Sequence, residues 1–591
     1  MSPAFNIAPV VKLDGEDLPT DWLGAMVEMR VERQYQVPSR VTLRFTDPGY
    51  ELLSSSKLAL GKTVAVSQYD GPKLATAEIT AISAEQRAGE QPELVVTALD
   101  KSHRLGRASR VKTYQNMKYS DMVTQLAGTA GLTPKVDSTP ATIEYLMQAE
   151  SDLALLCELA RRTGFDWWLE DNDLNFAKPK STGECTLSLG KDLRSFSARV
   201  SSVMPKEVQV DGWDRTKQQD VSQKSSPTSV PKASSPLASK AEDASKAFGS
   251  DPVFSAGLGA QSDGEAEHLA QAVYDRAVTA AVVAKGTADG NAAIKLGSSV
   301  KIEGAGPLSG TYPVTEVEHV YRPAIGFVTR FVSGDRRPTT LVDTLGGLAG
   351  APGVAYAGPA HFRSGLTVGK VTNNKDDQNM GRVKVRFPGM SQSFETGWAR
   401  LVTVGAGAKR GAVWLPEVDD EVLVGFEGGD ARQPVVIGGL FGDKSTMPKI
   451  ELKDGQVQSR AMTSRLGHVI SFLDGSSDAQ QAVEVVLSTG EHKIHLGKDK
   501  LTVAVPAGVP AEITAGQASL KFDKSGNITL EGVNITINAK EKVSVQCTEG
   551  SVEAKATLDL KANAKLGVSG AIIEVQSQGP AKIAGSPVMI N

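Results

Sequence analysis

Asn534-Ile535-Thr536-Ile537-Asn538-Ala539-Lys540-Glu541-Lys542-Val543-Ser544-Val545-Gln546-Cys547 places apolar side chains at Ile535, Ile537, Val543, Val545 and Cys547, with Thr, Asn, Lys, Ser and Gln between them. That is the two-residue period of a β-strand. After Thr548-Glu549-Gly550 the alternation resumes with shifted parity, and Val552, Ala554, Ala556, Leu558, Leu560, Ala562, Ala564, Leu566 and Val568 share a face. These residues are small or aliphatic, and no Phe, Tyr or Trp follows Phe522. One copy of such a segment lacks the bulk to fill a core between layers. Isolated strands of this kind expose long apolar edges, whereas several copies sharing one axis remove the edges. Residues 467–591 therefore read as an intertwined, oligomeric β-needle. The alternative is a single-chain β-solenoid, whose repeat would show a fixed period; none is visible in the sequence. A disordered or amyloid-like tail is disfavoured, because Lys, Glu and Asp interrupt every apolar run. About 100 residues of strand crossing the axis at about 4.8 Å spacing give a rod on the order of 50 Å long.

Composition bounds the rest. A chain of 591 residues holds several domains, each long enough for a core of its own. The net charge of −4 and pI near 6.1 give no reason to expect nucleic acid or an anionic membrane surface as a partner. Cys157, Cys185 and Cys547 are odd in number and far apart, which supports neither a disulfide framework nor a cysteine zinc site. The start, Met-Ser-Pro-Ala-Phe-Asn-Ile, lacks a basic stretch followed by an apolar core, and no run of about 18 apolar residues occurs. Synthesis and assembly in the cytoplasm, without a signal peptide, are expected.

Residues 1–105 contain short alternating runs, Ala25–Val31, Ser39–Thr46, Thr63–Val66, Ala75–Ile82 and Glu93–Leu99, separated by Gly, Pro and Asp turns. They predict a compact β-barrel unit. A helical and β insert follows at 106–180. Ser120 is placed to cap one helix, with Met122, Val123, Leu126 and Ala127 on its apolar face and Gly131 beyond its end. Ser151 or Asp152 is placed to cap a second, with Leu153, Leu156, Leu159 and Ala160 on one face, Arg161 and Arg162 in the last turn, and Gly164 after it. Trp167-Trp168 on the next strand suggests a sugar platform, but neighbouring strand residues face opposite ways, so one belongs to the core. Residues 181–345 predict a second β unit, including an Ala-rich helix from Glu265 to Ala284. It is interrupted at 218–250 by a Ser, Pro, Lys and Ala stretch that reads as a flexible linker. Residues 346–365 read as a Gly/Ala/Pro connector.

Residues 366–442 carry the most specific signal. They run Leu366-Thr367-Val368-Gly369-Lys370-Val371-Thr372-Asn373-Asn374-Lys375-Asp376, then Gly381-Arg382-Val383-Lys384-Val385-Arg386-Phe387-Pro388 and Gly397-Trp398-Ala399-Arg400. Next come Trp414-Leu415-Pro416-Glu417-Val418-Asp419-Asp420-Glu421-Val422-Leu423-Val424-Gly425-Phe426-Glu427-Gly428-Gly429-Asp430 and Gln433-Pro434-Val435-Val436-Ile437-Gly438-Gly439-Leu440. Five strand-like pieces with Gly and Asp turns suggest a small OB-type barrel. In full, the segment closely resembles the OB domain of the VgrG family, the spike proteins of contractile injection systems and their phage-tail relatives. The helix Ser151–Gly164 with Phe165-Asp166-Trp167-Trp168, and Leu308–His319, resemble that family's hub. Ser464–Phe472, reached through a linker at 443–466, resembles the start of its needle, and Ile583–Asn591 resembles a blunt needle end.

The resemblance implies a mainly β, multidomain chain: two β-barrel-like hub units with a small helical insert, an OB barrel, and a trimeric β-helix or prism needle. It further implies a homotrimer whose hub caps the inner tube and meets hub adaptor and baseplate proteins. A PAAR-type tip would sit on Val588, Met589, Ile590 and Asn591, and effector cargo would travel as a separate protein. On this reading the chain belongs to a phage-tail-like injection particle and touches a target membrane only by mechanical puncture. An enzyme is not expected. Residues 443–465 are too few for a catalytic domain between OB and needle, and no Gly-x-Ser-x-Gly, His-Glu-x-x-His or phosphate-loop pattern occurs. Acidic pairs such as Asp376-Asp377 and Asp419-Asp420 read as turn residues, and no cofactor is implied. His492 and His495 are the only candidates for an ion on a threefold axis. Three residues apart on a strand they face opposite ways and cannot serve one site within a chain. The OB barrel raises single-stranded nucleic acid as a ligand, but its Lys and Arg are matched by Asp and Glu and no cationic stacking groove is present. The alternative function is a trimeric β-stalk adhesin, which would ordinarily need an export signal.

Overall fold

The computed structural model describes residues 8–140, 142–201, 204–214, 217–247, 253–255, 260–336, 365–388, 395–448 and 450–590. The chain is mainly β and forms two compact units, Met1–Met447 and Pro448–Asn591. The expected connector lies outside the described residues except for Gly365, as does Asn591 at the expected tip-binding end.

In the first unit the alternating runs of both expected hub units are neighbours in one eleven-stranded sheet. Its order is Leu193–Val200, Val282–Asp289, Gly326–Ser333, Glu316–Arg322, Met26–Gln34, Arg40–Thr46, Glu93–Leu99, Lys73–Glu85, Thr63–Ser67, Val10–Leu13 and Glu16–Asp17. The seam is antiparallel, with His319 opposite Val31 and Tyr321 opposite Met29. Each half alone would present an edge of unpaired N–H and C=O groups, and pairing them removes both edges. Met29, Val31, Leu43, Phe45, Ile79 and Val96 build the core of one half. Ile302, Tyr312, Val317 and Phe331 build that of the other. His319 is buried near the seam with Nδ1 3.0 Å from Thr329 Oγ1, and burial, aided by the Arg33 charge, pushes its pKa down to about 3. It is therefore a neutral core residue.

The insert confirms one expected cap and moves the other. Ser151 Oγ accepts the Ala154 N–H at 3.2 Å, and Gly164 ends that helix at φ 71°. The earlier helix starts at Tyr119, one residue before the expected cap Ser120. Asp121 accepts the Lys118 N–H at 3.4 Å, while Ser120 is buried and donates its own N–H to Thr139. Trp167 is fully buried, and Trp168 meets Tyr35 edge-on with ring centroids 5.5 Å apart, so the pair forms no sugar platform.

The stretch read as a flexible linker is largely built into the fold. Gln219–Lys224 pairs with Val208–Asp214, Ser234 bridges to Thr311, and Ala238 and Ala241 are buried in the second hub core. Short side chains that suggest a linker act here as small packing residues. The OB barrel holds a five-stranded sheet in the order Lys384–Arg386, Thr367–Asn373, Glu421–Phe426, Pro434–Gly439, Arg400–Leu401. Val371, Val385, Phe387, Val422 and Val436 fill it, and Tyr145 and Met147 of the insert enter the same core.

Gly286 lies between Phe196 and Phe331 in register, and a Cβ there would fall 2.2 Å from the Phe331 ring. Phe331 is fully buried, so its ring has no free space to move into. Gly286→Ala is expected to lower hub stability by about 1–3 kcal/mol, read as a lower melting temperature in a tryptophan-fluorescence scan.

Candidate assembly interfaces

The hub and the OB barrel are joined by a buried charge cluster centred on Glu265. Ser262 caps the helix Asp263–Ala280 by accepting the Glu265 N–H, and Glu265 Oε2 accepts the Gln261 N–H at 3.0 Å. This near-reciprocal capping leaves Oε1 free for other donors. Oε1 accepts Arg432 Nη1 at 2.7 Å, Arg162 Nη1 at 3.1 Å and the Tyr119 hydroxyl at 3.3 Å. Arg432 also forks onto Asp430, with Nη2 2.8 Å from Oδ2, and Arg162 reaches Glu158 at 2.7 Å. Both guanidiniums are 1% exposed. Burial pushes the Glu265 and Asp430 carboxyls up, but the adjacent guanidiniums more than offset it and hold both below the ordinary range. One oxygen thus ties the insert helices, the second hub helix and the OB barrel together. Sequence reading misses this cluster because its partners lie 103 and 167 residues apart. The only local signal is the Ser262-x-x-Glu265 capping pattern.

In the OB barrel Asp376 accepts N–H groups of Gln378 and Met380 and binds Arg382, whose hydrogen bonds bring its pKa down to about 2. Asp420 accepts the Glu417 N–H, and Asp419 sits at φ 79°. Both acidic pairs are turn chemistry, as the sequence suggests.

The second unit presents the opposite situation. Ser459–Thr463, Val469–Asp474, Gln481–Val486, Lys493–Gly497 and Leu501–Ala504 form a meander. Its register aligns Met462, Ile470, Val485, Ile494 and Val503 across the strands, and beside them Phe472, Val483, Leu496 and Leu501. All nine are 37–67% exposed. The polar face is the sheltered one: Ser471 is buried, and Glu484 binds Lys493 and lies 2.6 Å from His495 Nδ1. His495 is thereby engaged within its own sheet, and His492 sits outside that sheet with Nδ1 buried and unbonded. Among the described residues no group of three or more His, Cys, Asp or Glu is placed to hold a metal.

From Gly532 to Ile590 the chain forms no helix and joins no sheet, and among the described residues no backbone–backbone hydrogen bond forms within it. Its apolar side chains are exposed, among them Ile537, Val545, Leu560 and Val575. It bends at 533, 540–541, 548–549, 555–556, 563–564, 571, 578–579 and 586–587, a near-even spacing. The bends fall on chemically different residues, from Lys540-Glu541 to Ser586-Pro587, which is why no repeat is visible in the sequence. Val588, Met589 and Ile590 at the expected tip end are exposed.

Residues 367–441 match the family described as the type VI secretion system/phage-baseplate injector OB domain. That stretch is similar to an injector OB domain. The VgrG resemblance read from the sequence is borne out. Over 123 residues the chain is 29% identical to the type VI secretion system spike protein VgrG2a of Pseudomonas aeruginosa, covering 20% of this chain and 14% of that protein. Over 83 residues it is 37% identical to VgrG5 of the same organism, covering 13% of this chain and 10% of that protein. The match therefore spans only a small part of these relatives' length. A second family, described as the Alg8 N-terminal domain, matches residues 55–322, a stretch that runs through both halves of the hub sheet and the insert. Among solved structures, an E. coli type VI secretion component described as similar to T4 tail proteins aligns with 73% of this chain and 99% of its own, at 14% identity and TM-score 0.46. A chain of the Francisella PdpA–VgrG complex aligns with 89% of this chain and 80% of its own, at 9% identity and TM-score 0.44.

Glu265→Gln weakens the shared acceptor of two buried guanidiniums and is expected to cost about 3–5 kcal/mol of unfolding free energy near neutral pH. The sign of the pH effect follows from the depressed carboxyl pKa values. Their contribution is complete above the unfolded carboxyl range near pH 4 and is lost as the pH falls through the lower folded values. Urea titrations of the parent chain should lose stability on acidification below about pH 5. The variant, lacking the Glu265 carboxyl, should show a shallower loss.

Proposed function

We propose that this chain is the spike and hub of a contractile injection machine, working as a homotrimer. The observation that carries the reading is that one chain joins a segment matching the injector OB domain to a C-terminal segment that forms, among the described residues, no backbone–backbone hydrogen bond of its own. Exposed apolar strands with unpaired N–H and C=O groups are satisfied when copies of the segment pair about a common axis. Seven bend-to-bend intervals stacked at about 4.8 Å make this part of the needle about 35 Å long.

The proposed work is mechanical. Sheath contraction drives the tube forward, and the needle concentrates the load on a small area of the target envelope. Intertwined strands resist that load because withdrawing one chain breaks many hydrogen bonds together, a kinetic form of stability. The hub caps the inner tube and meets the baseplate, a PAAR-type tip docks on Val588, Met589, Ile590 and Asn591, and cargo travels as a separate protein. The chain catalyses no reaction in this scheme. It assembles in the cytoplasm into a phage-tail-like particle.

Light scattering tests the proposal. The full chain is expected near three times 62.3 kDa, and a version ending before Gly467 is expected to lose that state. Ile494→Asp, at an exposed position of one chain, should leave the hub's melting unchanged yet shift the mass toward the monomer. A full chain that stays monomeric at every concentration overturns the reading.

A further inference from the structure

The bends of residues 532–590 also define how copies fit against one another. A foreign partner would have to bring the same spacing to pair piece by piece, whereas another copy of this segment has it by construction. For copies related by an axis, equal-numbered bends lie at one height on different corners. Each corner then receives a given bend from one copy and the following bend from the next copy, about 4.8 Å further along. A residue therefore faces the residue one bend interval away in its neighbour, not its own equivalent.

Charge placement fits that stagger. Glu553 stands two residues before the bend at 555–556, and Lys561 stands two before the bend at 563–564. Glu574 stands four before 578–579, and Lys582 four before 586–587. All four are exposed. Each pair is separated by eight residues, an even number that keeps both partners on the side opposite Val552, Leu560, Ile573 and Ile583. With no stagger, like charges would meet at every one of these positions. Glu541 and Glu549 also share a bend position, but Glu541 is flanked by Lys540 and Lys542.

Building on the trimeric reading above, we infer that the needle copies stack with a stagger of one bend interval, so that Glu553 pairs with Lys561 of the next copy and Glu574 with Lys582 of the next copy. The pairs set the register of strands whose small inward residues would otherwise permit slippage. Exposed pairs add little to stability; their effect is to make the wrong alignment repulsive.

Adjacent strands bring Cα atoms to about 5 Å, within disulfide reach. In a full chain also carrying Cys547→Ser, the double variant Glu553→Cys with Lys561→Cys is expected to oxidise to a covalent trimer on non-reducing gels, and neither single variant to cross-link. A single Glu553→Cys variant that cross-links to its own equivalent overturns the stagger. So does a double variant that stays uncross-linked while its scattering mass remains three times that of the chain. A monomeric mass overturns the trimeric reading as well, which separates the two failures. As a check that needs no cysteine, Glu553→Lys should speed dissociation of the trimer on heating, and adding Lys561→Glu should slow it again. Absence of that rescue overturns the pairing.

Discussion

A single carboxylate oxygen, Glu265 Oε1, is the point on which the first unit depends. Arg162 comes from the insert and Arg432 from the OB barrel, and both reach it from buried positions. Two buried guanidiniums tolerate each other only with Glu158, Glu265 and Asp430 between them. Such a cluster is poor value as stability, because apolar side chains of similar volume would pack as well without desolvating charge. Its effect is directional. Apolar contacts such as Tyr145 and Met147 in the OB core tolerate sliding, whereas a shared oxygen with three donors accepts only one placement of hub and barrel.

The same accounting of polar groups divides the molecule. In the first unit the sheet seam, the caps and the charge cluster satisfy the chain from within. In the second unit a meander exposes its apolar face, and from Gly532 to Ile590 the chain joins no sheet. Backbone groups outside any sheet and exposed apolar side chains are two costs of very different origin, yet from Gly532 to Ile590 they fall on the same residues. In the proposed trimer one event, pairing with identical segments, would relieve both.

Much of the architecture is legible in the sequence, because the signals that carry it are local. Alternation marks the strands, Ser151 and Gly164 bracket their helix, and the turn residues of 366–442 delimit the OB barrel. The features that are not legible are set by distance or by context. Ser120 looks like a cap, but Lys118 holds the cap position with its N–H on Asp121, and Ser120 lies inside the helix with its N–H on Thr139. Ala238 and Ala241 have linker chemistry, and they are ordered by a core whose other members lie elsewhere in the chain. The joining of the two hub sheets through His319 and Val31, and the Glu265 cluster, rest on residues more than a hundred positions apart.

The bends of the last segment carry this contrast to its limit. Their spacing is a regular physical property of the backbone, yet the residues that make them share no motif, and so the sequence alone conceals the period. The alternation of side chains survives because burial on one face demands it at every position. The bends need only a residue that tolerates a corner, and Lys, Glu, Thr, Asn, Gly and Pro all serve. What the alternation leaves free is the alignment between copies, since small inward residues look alike from one interval to the next. Outward charge is the remaining variable that distinguishes one interval from another, which is why register is sought in Glu553, Lys561, Glu574 and Lys582 and not in the interior.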